Sequence, residues 1–183
     1  MSDIHYLSIA EAGKLIEKKE LSPSEYVEAL LARIDAINPK LDAFLSICGD
    51  QARDDAKAVE TELANGNYKG PMHGIPYGLK DIIDYAGLKT TAHSKLLEDN
   101  VADTDATTTA KLKAAGGIFV GKLATHEFAI GGPSFDLPWP PARNPWNTNR
   151  HPGGSSSGSG AAVAAGLLPG ALGSDTGGSV RHP

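Results

Sequence analysis

The sequence predicts an α/β fold, a sheet with helices packed on its faces, and three observations carry that reading. Helical and strand-like patterns alternate over residues 1–130. Helix-start signals stand just ahead of apolar residues in helical spacing. Short apolar runs lie between Gly, Pro and Asn breaks, as buried strands do.

The elements follow in order. Ser8 opens a short amphipathic helix carrying Ile9, Ala12, Leu15 and Ile16. Ser22-Pro23-Ser24-Glu25 offers an N-cap, a proline in the first turn and a glutamate placed for a reciprocal capping box. Behind it Tyr26, Ala29, Leu30, Ala32 and Ile34 keep helical spacing until Asn38-Pro39 stops the helix. Residues 43–47 read as a strand, and residues 50–63 as an Ala-rich helix ended by Asn65-Gly66. Residues 75–83 read as a strand and turn, 105–115 as a helix ended by Gly116, and 117–120 as a buried strand. Residues 161–168 read as a small-residue helix apolar on nearly every face, with a strand around Leu172 after it. No internal repeat is present.

Composition narrows the function classes. The chain has 183 residues, 40% of them hydrophobic and 21% charged, which is the make-up of an ordinary globular protein. Its net charge of −5 supplies no basic field to draw it to nucleic acid or an anionic membrane. The single cysteine, Cys48, cannot close an intramolecular disulfide, which points to a reducing compartment. Residues 1–6 lack the basic-then-apolar pattern of a signal peptide, and no apolar run approaches the roughly 18 residues of a spanning helix. The expectation is a soluble, cytoplasmic protein that binds neither nucleic acid nor membrane.

Composition then shifts. Residues 131–183 hold 11 of the 21 glycines and 8 of the 12 prolines, but only two of the 22 acids, Asp136 and Asp175. A flexible linker would not carry the apolar run at 161–168 in its middle. Glycine-rich, charge-poor chain around an apolar helix suggests backbone brought close to a ligand.

Two Gly/Ser clusters flank that helix, residues 153–160 (GGSSSGSG) and 173–179 (GSDTGGS). The first lacks both the Gly-Lys-Ser/Thr ending of a P-loop and the spacing of a dinucleotide turn. Hydrolysis of an amide fits better. A serine hydroxyl needs an adjacent base to become a nucleophile, and the amide oxygen needs donors for its developing charge. Gly177-Gly178-Ser179 offers bare backbone N–H groups beside a hydroxyl. Six histidines are present, none in a GxSxG elbow, so a Ser-His-Asp triad has no local support. A lysine can serve as base where burial lowers its pKa. Lys80 and Lys122 both sit in apolar strand contexts, and the residues alone do not choose between them; a strand-end lysine reaching to water remains the ordinary reading of either.

Residues 152–183, with GGSSSGS and GSDTGGSVR around an Ala/Gly-rich helix, resemble the signature sequence of the amidase-signature family. That family includes the glutaminase subunit of bacterial tRNA-dependent amidotransferases, fatty acid amide hydrolase and many small-amide hydrolases. Upstream, GIPYGLKD at 74–81 resembles the family's G-[IV]-P-x-x-[IVL]-K-D strand, Gly121-Lys122 with Glu127-Phe128-Ala129 its GKxxxxEFA segment, and Asn144-Pro145-Trp146-Asn147 its NPxN turn. The likeness runs from about Ser8 onward. It implies a mixed sheet covered by helices, of which the chain is the N-terminal portion: one unit over 1–183, with a helical region at 1–70 and a catalytic core portion at 71–183.

The resemblance also implies a Ser–cis-Ser–Lys triad of Lys80, Ser155 and Ser179, with Lys122 left to a structural role. Ser179 is the implied nucleophile, Ser155 the relay and Lys80 the base. Thr176, Gly177 and Gly178, with the Ser179 N–H, are the implied oxyanion and substrate contacts. Gly154 precedes a cis peptide bond, Asp175 holds the loop through backbone N–H groups, and Arg181 meets either a substrate carboxylate or a structural partner. Neither metal nor organic cofactor is implied. The implied substrate is a small-molecule amide, and the implied partners are a second copy or amidotransferase subunits. Ser157 departs from the family's commoner glycine. The chain stops soon after Ser179, so it reads as a truncated chain or one part of a split protein; a non-catalytic binding or scaffold role is the reading from another class, and residues 1–183 alone are expected to be a poor enzyme.

Overall fold

The computed structural model describes residues 4–183. Among these residues five α-helices and four strands, with short 3-10 turns between some of them, follow in the order α1 Ile9–Glu17, α2 Pro23–Ile37, β1 Phe44–Ile47, α3 Gly49–Ala64, β2 Pro76–Lys80, α4 Thr107–Ala114, β3 Ile118–Leu123, α5 Ser157–Ala164 and β4 Ala171–Leu172.

Local signals explain most boundaries. Ser8 caps α1 through the Glu11 N–H while the Glu11 carboxylate accepts the Ser8 N–H, a closed capping box. Ser22 caps α2 through the Glu25 N–H at 3.0 Å. Glu25 does not return the bond as the sequence suggested. The Ser24 N–H, another of the free donors of the first turn, is satisfied from outside the helix, by Glu60 of α3 at 3.0 Å. Ser22→Ala should therefore cost about 1 kcal/mol of stability, read in urea unfolding.

The sheet has the order β1-β3-β2-β4. β1 runs antiparallel to β3, while β2 runs parallel to both β3 and β4, so the sheet is mixed. Every residue of β2 and β3 is buried, as central strands covered on two faces must be. One face carries Ile118, Val120 and Leu123 into a cluster with Ala161, Ala162, Leu167 and Leu168. The other carries Tyr77, Leu79 and Phe119, with Tyr85 stacked on Phe119 at 4.4 Å between centroids.

The last helix departs from expectation. α5 begins inside the Gly/Ser cluster, at Ser157, and ends at Ala164 rather than running to 168. Gly158 permits the early start. Its N–H donates to the Ala124 carbonyl at 2.9 Å, and a Cβ there would stand 2.3 Å from the Ala43 carbonyl oxygen. Gly166 at φ +66° ends the helix by a turn that a side chain resists, and Leu167-Leu168 then enter the core. Nor is α5 covered all round: Val163 is 41% exposed. No helix among the described residues is long and apolar enough to cross a membrane.

Candidate active site

β2 delivers Lys80 to the α5 face of the sheet. The Lys80 side chain is fully buried, its Nζ 2.7 Å from Ser155 Oγ and 2.9 Å from Ser174 Oγ. Burial pushes its pKa down to about 8, with the Asp175 carboxylate pulling the other way.

Ser155 stands at the approach to α5, 3% exposed, and the Gly154–Ser155 peptide is cis. His126 holds this peptide from two directions. Its backbone N–H donates to the Ser155 carbonyl at 3.0 Å, and its ring covers Gly154 so closely that a Cβ there would lie 2.4 Å from it. The His126 Nδ1–H faces the Gly131 carbonyl at 3.2 Å, while Nε2 is buried without a hydrogen-bond partner. Burial keeps this imidazole below its ordinary pKa.

Ser179 lies in the turn between β4 and residue 183, half-buried. Its carbonyl accepts the Ser156 N–H at 3.0 Å, which ties the turn to the residue after Ser155. Its hydroxyl makes no hydrogen bond among the described residues, so the expected contact from Ser155 to Ser179 is not made. The physical reason is the setting of each hydroxyl: Ser155 is enclosed against Lys80, whereas the Ser179 rotor sits in a turn whose neighbours Thr176 and Gly177 are exposed.

Asp175 organises that turn. Its carboxylate accepts N–H groups of Gly178 at 2.7 Å and Val180 at 3.0 Å and pairs with Arg181 at 2.9 Å. Arg181 and these N–H groups hold its carboxyl well below the usual carboxylate range. Of the two readings of Arg181, the structure places it in the ion pair. It also places the Gly178 N–H on Asp175, which takes that group from the expected oxyanion set. The N–H groups of Thr176, Gly177 and Ser179 donate to nothing among the described residues.

Lys122, equal to Lys80 on the residues alone, points through the opposite face. Its Nζ meets Asp81 Oδ1 at 2.9 Å, Thr90 Oγ1 at 2.9 Å and the Ile83 carbonyl at 2.8 Å. Sequence reasoning missed Ser174 and His126. Ser174 had a signal, since it stands directly before the DTGGS segment and carries a hydroxyl. His126 had none, because its contacts to Gly154 and Ser155 depend on the packing of two distant segments. Ser174→Ala should slow Ser179 labelling by a fluorophosphonate roughly fivefold, the equivalent of one hydrogen bond.

Comparison with known proteins bears on the chain as a whole. The family described as Amidase matches residues 25–183. A glutamyl-tRNA(Gln) amidotransferase subunit from Roseiflexus castenholzii is 47% identical over 183 residues, 100% of this chain and 37% of that protein. The chain thus spans little more than a third of the curated relative it matches. Among solved structures, an inhibitor-bound vestigial complex, described as revealing the evolutionary origins of an s-triazine catabolic enzyme, superposes with a TM-score of 0.91 at 38% identity, covering 96% of this chain and 38% of that one. A bacterial aryl acylamidase described as an amidase-signature enzyme superposes with a TM-score of 0.90 at 32% identity, covering 98% of this chain and 38% of that one.

Proposed function

Because the chain belongs to the amidase family, we propose that it contributes the catalytic residues for hydrolysis of a carboxamide C–N bond, with Ser179 as nucleophile, Ser155 as relay and Lys80 as base. The observation that carries this reading is the 2.7 Å contact between Lys80 Nζ and Ser155 Oγ, both groups enclosed. A lysine held in that way accepts a proton far more readily than one in water.

Each step balances in atoms and protons. The Ser179 hydroxyl turns toward Ser155 and attacks the amide carbonyl carbon. Its proton passes to Ser155 Oγ as the Ser155 proton passes to neutral Lys80. The oxygen of the tetrahedral intermediate gathers the N–H groups of Thr176, Gly177 and Ser179. Collapse breaks the C–N bond, and the departing amine takes a proton back through Ser155 from Lys80. Water then attacks the acyl ester by the same relay and releases the carboxylate.

A pH profile tests it. Lys80 must be neutral to act, and its pKa lies near 8, so the labelling rate of Ser179 should rise through pH 7 and 8 and level off above about 9. A rate that is flat from pH 6 to 10, or falls as pH rises, removes Lys80 from the base role.

A second reading is favoured by the 47% identity to a protein described as a glutamyl-tRNA(Gln) amidotransferase subunit: the amide is glutamine, and the protein works with partner subunits. Release of ammonia from glutamine in preference to aliphatic and aryl amides, together with co-purifying subunits, supports it. Preference for the other amides by an isolated chain refutes it.

A further inference from the structure

We propose that Asp81 and Lys122 are positioning residues for Lys80, an ion pair that holds the catalytic strand end from the face opposite the substrate. This inference rests on the reading of Lys80 as the base.

The pair lies where the chain leaves β2. Asp81 directly follows Lys80, and alternation along the strand sends the two side chains to opposite faces. Asp81 and Lys122 are both 1% exposed, with Asp81 Oδ1 facing the Lys122 ammonium at 2.9 Å. Asp81 Oδ2 accepts both the N–H and the hydroxyl of Thr91. Lys122 also donates to the Ile83 carbonyl and to Thr90 Oγ1.

The bond to the Ile83 carbonyl acts on the turn that directly follows Lys80. The Lys80 carbonyl accepts the N–H groups of Ile82 at 2.8 Å and Ile83 at 2.9 Å, which makes a tight turn. Lys122 closes that turn from its far side through the Ile83 carbonyl. The Asp81 N–H binds the Leu123 carbonyl at 3.0 Å, and the Asp81 carbonyl accepts the Ala92 N–H at 2.9 Å. The backbone that aims Lys80 at Ser155 is therefore gripped by groups that converge on one pair. A cavity of about 270 Å³ borders it, lined by Ser46, Asp81, Lys89, Glu98, Lys122 and Trp139, so water has room to enter this face if the grip is lost.

A buried ion pair is a costly way to fill space, because its desolvation offsets its attraction, and apolar residues of similar volume often serve stability as well. What apolar residues cannot supply is direction. They would leave the Ile83 carbonyl, Thr90 hydroxyl and Thr91 N–H without their partners.

The charged and titratable groups around the two lysines are few. Asp175 acts on Lys80, and Lys80 in turn helps to lower His126. Asp81 pairs with Lys122; Cys48 also feels it, and burial raises that thiol while the ammonium lowers it. Lys89 and Glu98 line the cavity.

The experiment measures fluorophosphonate labelling of Ser179 in the native protein from pH 6 to 10, with thermal melts alongside. The variants are Asp81→Leu/Lys122→Met, Thr90→Val and Lys80→Met. The double variant removes the pair without stranding a charge. It should fold but melt below the native protein, since the Ile83 carbonyl, Thr90 hydroxyl and Thr91 N–H lose partners, label at least tenfold more slowly at pH 7, and shift its half-maximal pH upward as water reaches Lys80. Thr90→Val removes one Lys122 acceptor and should shift the curve the same way by less. If the double variant fails to fold, Thr90→Val decides alone. A folded double variant, or Thr90→Val in its place, whose labelling curve overlays the native one overturns the proposal. Lys80→Met separates the two readings. If it labels like the native protein, Lys80 is not the base and the pair has nothing to position. If it is inert while the pair variants match native, only the positioning role fails.

Discussion

Ser179→Ala is expected to abolish fluorophosphonate labelling and to lower amide turnover by a factor on the order of 10⁵–10⁶, the scale seen when a serine hydrolase loses its nucleophile. Competing hydroxyls are near: Ser155, Ser156, Ser157, Ser159 and Ser174 lie in the same two clusters. Their settings differ. Ser155, Ser156, Ser157 and Ser159 are each 7% exposed or less, and a carbonyl carbon needs open space to approach. Ser156 Oγ accepts the Ser174 N–H at 3.2 Å, and Ser159 Oγ donates to the Leu172 carbonyl at 3.0 Å. Ser179 alone among these has both a partly open hydroxyl with no hydrogen bond and the free N–H groups of Thr176 and Gly177 beside it. Mass spectrometry of the labelled protein checks the site. Label on Ser155 in the native protein, or full labelling of Ser179→Ala, would sink the assignment.

Lys80→Met should lower turnover by about 10³–10⁴, near the upper end of what a positioned base contributes. It should also melt no lower than the native protein, and the sign can be worked out. The folded-state pKa of Lys80 lies near 8, below the ordinary value of 10.5, because burial disfavours the charged form. That cost to folding is fully present below about pH 8 and fades as pH rises toward 10.5. Replacing the ammonium with an apolar chain of similar length removes the cost, so any gain in stability is greatest at or below pH 8 and vanishes above 10.5. Loss of activity combined with equal or better stability distinguishes a catalytic lysine from a structural one. Turnover within tenfold of native would refute the base role.

Much of the fold is legible in the sequence because local chemistry decides it. Ser8 and Ser22 start helices by capping N–H groups, and Asn38-Pro39 ends one, whatever lies around them. The apolar pattern sets α5 four residues too late at each end for the converse reason. Serine and glycine are weak helix formers, and only the close approach of Gly158 to Ala43 and Ala124 makes a helix start there. The glycine-rich clusters are visible as a place where backbone crowds. That His126 is what crowds Gly154 is not, since the two are brought together by tertiary packing alone.

The sequence by itself determined the alternating α/β pattern, the two lysines in apolar strands and the hydroxyl-rich turns on either side of a small-residue helix. Its residue chemistry alone left Lys80 and Lys122 equal, and only the resemblance of residues 74–81 to a family motif pointed to Lys80. Tyr77 pairs with Phe119, but Gly78 pairs with Gly121, so β3 carries one extra residue at Val120. Without that bulge, Lys80 would stand level with Lys122, and both ammonium groups would emerge on the same face. With it, Lys80 pairs with Leu123 and faces Ser155, while Lys122 pairs with Leu79 and faces Asp81. A shift of one residue reverses every side chain beyond it, because the period of a strand is two. The position of the bulge is set by contact between strands, and no local signal in either strand records it.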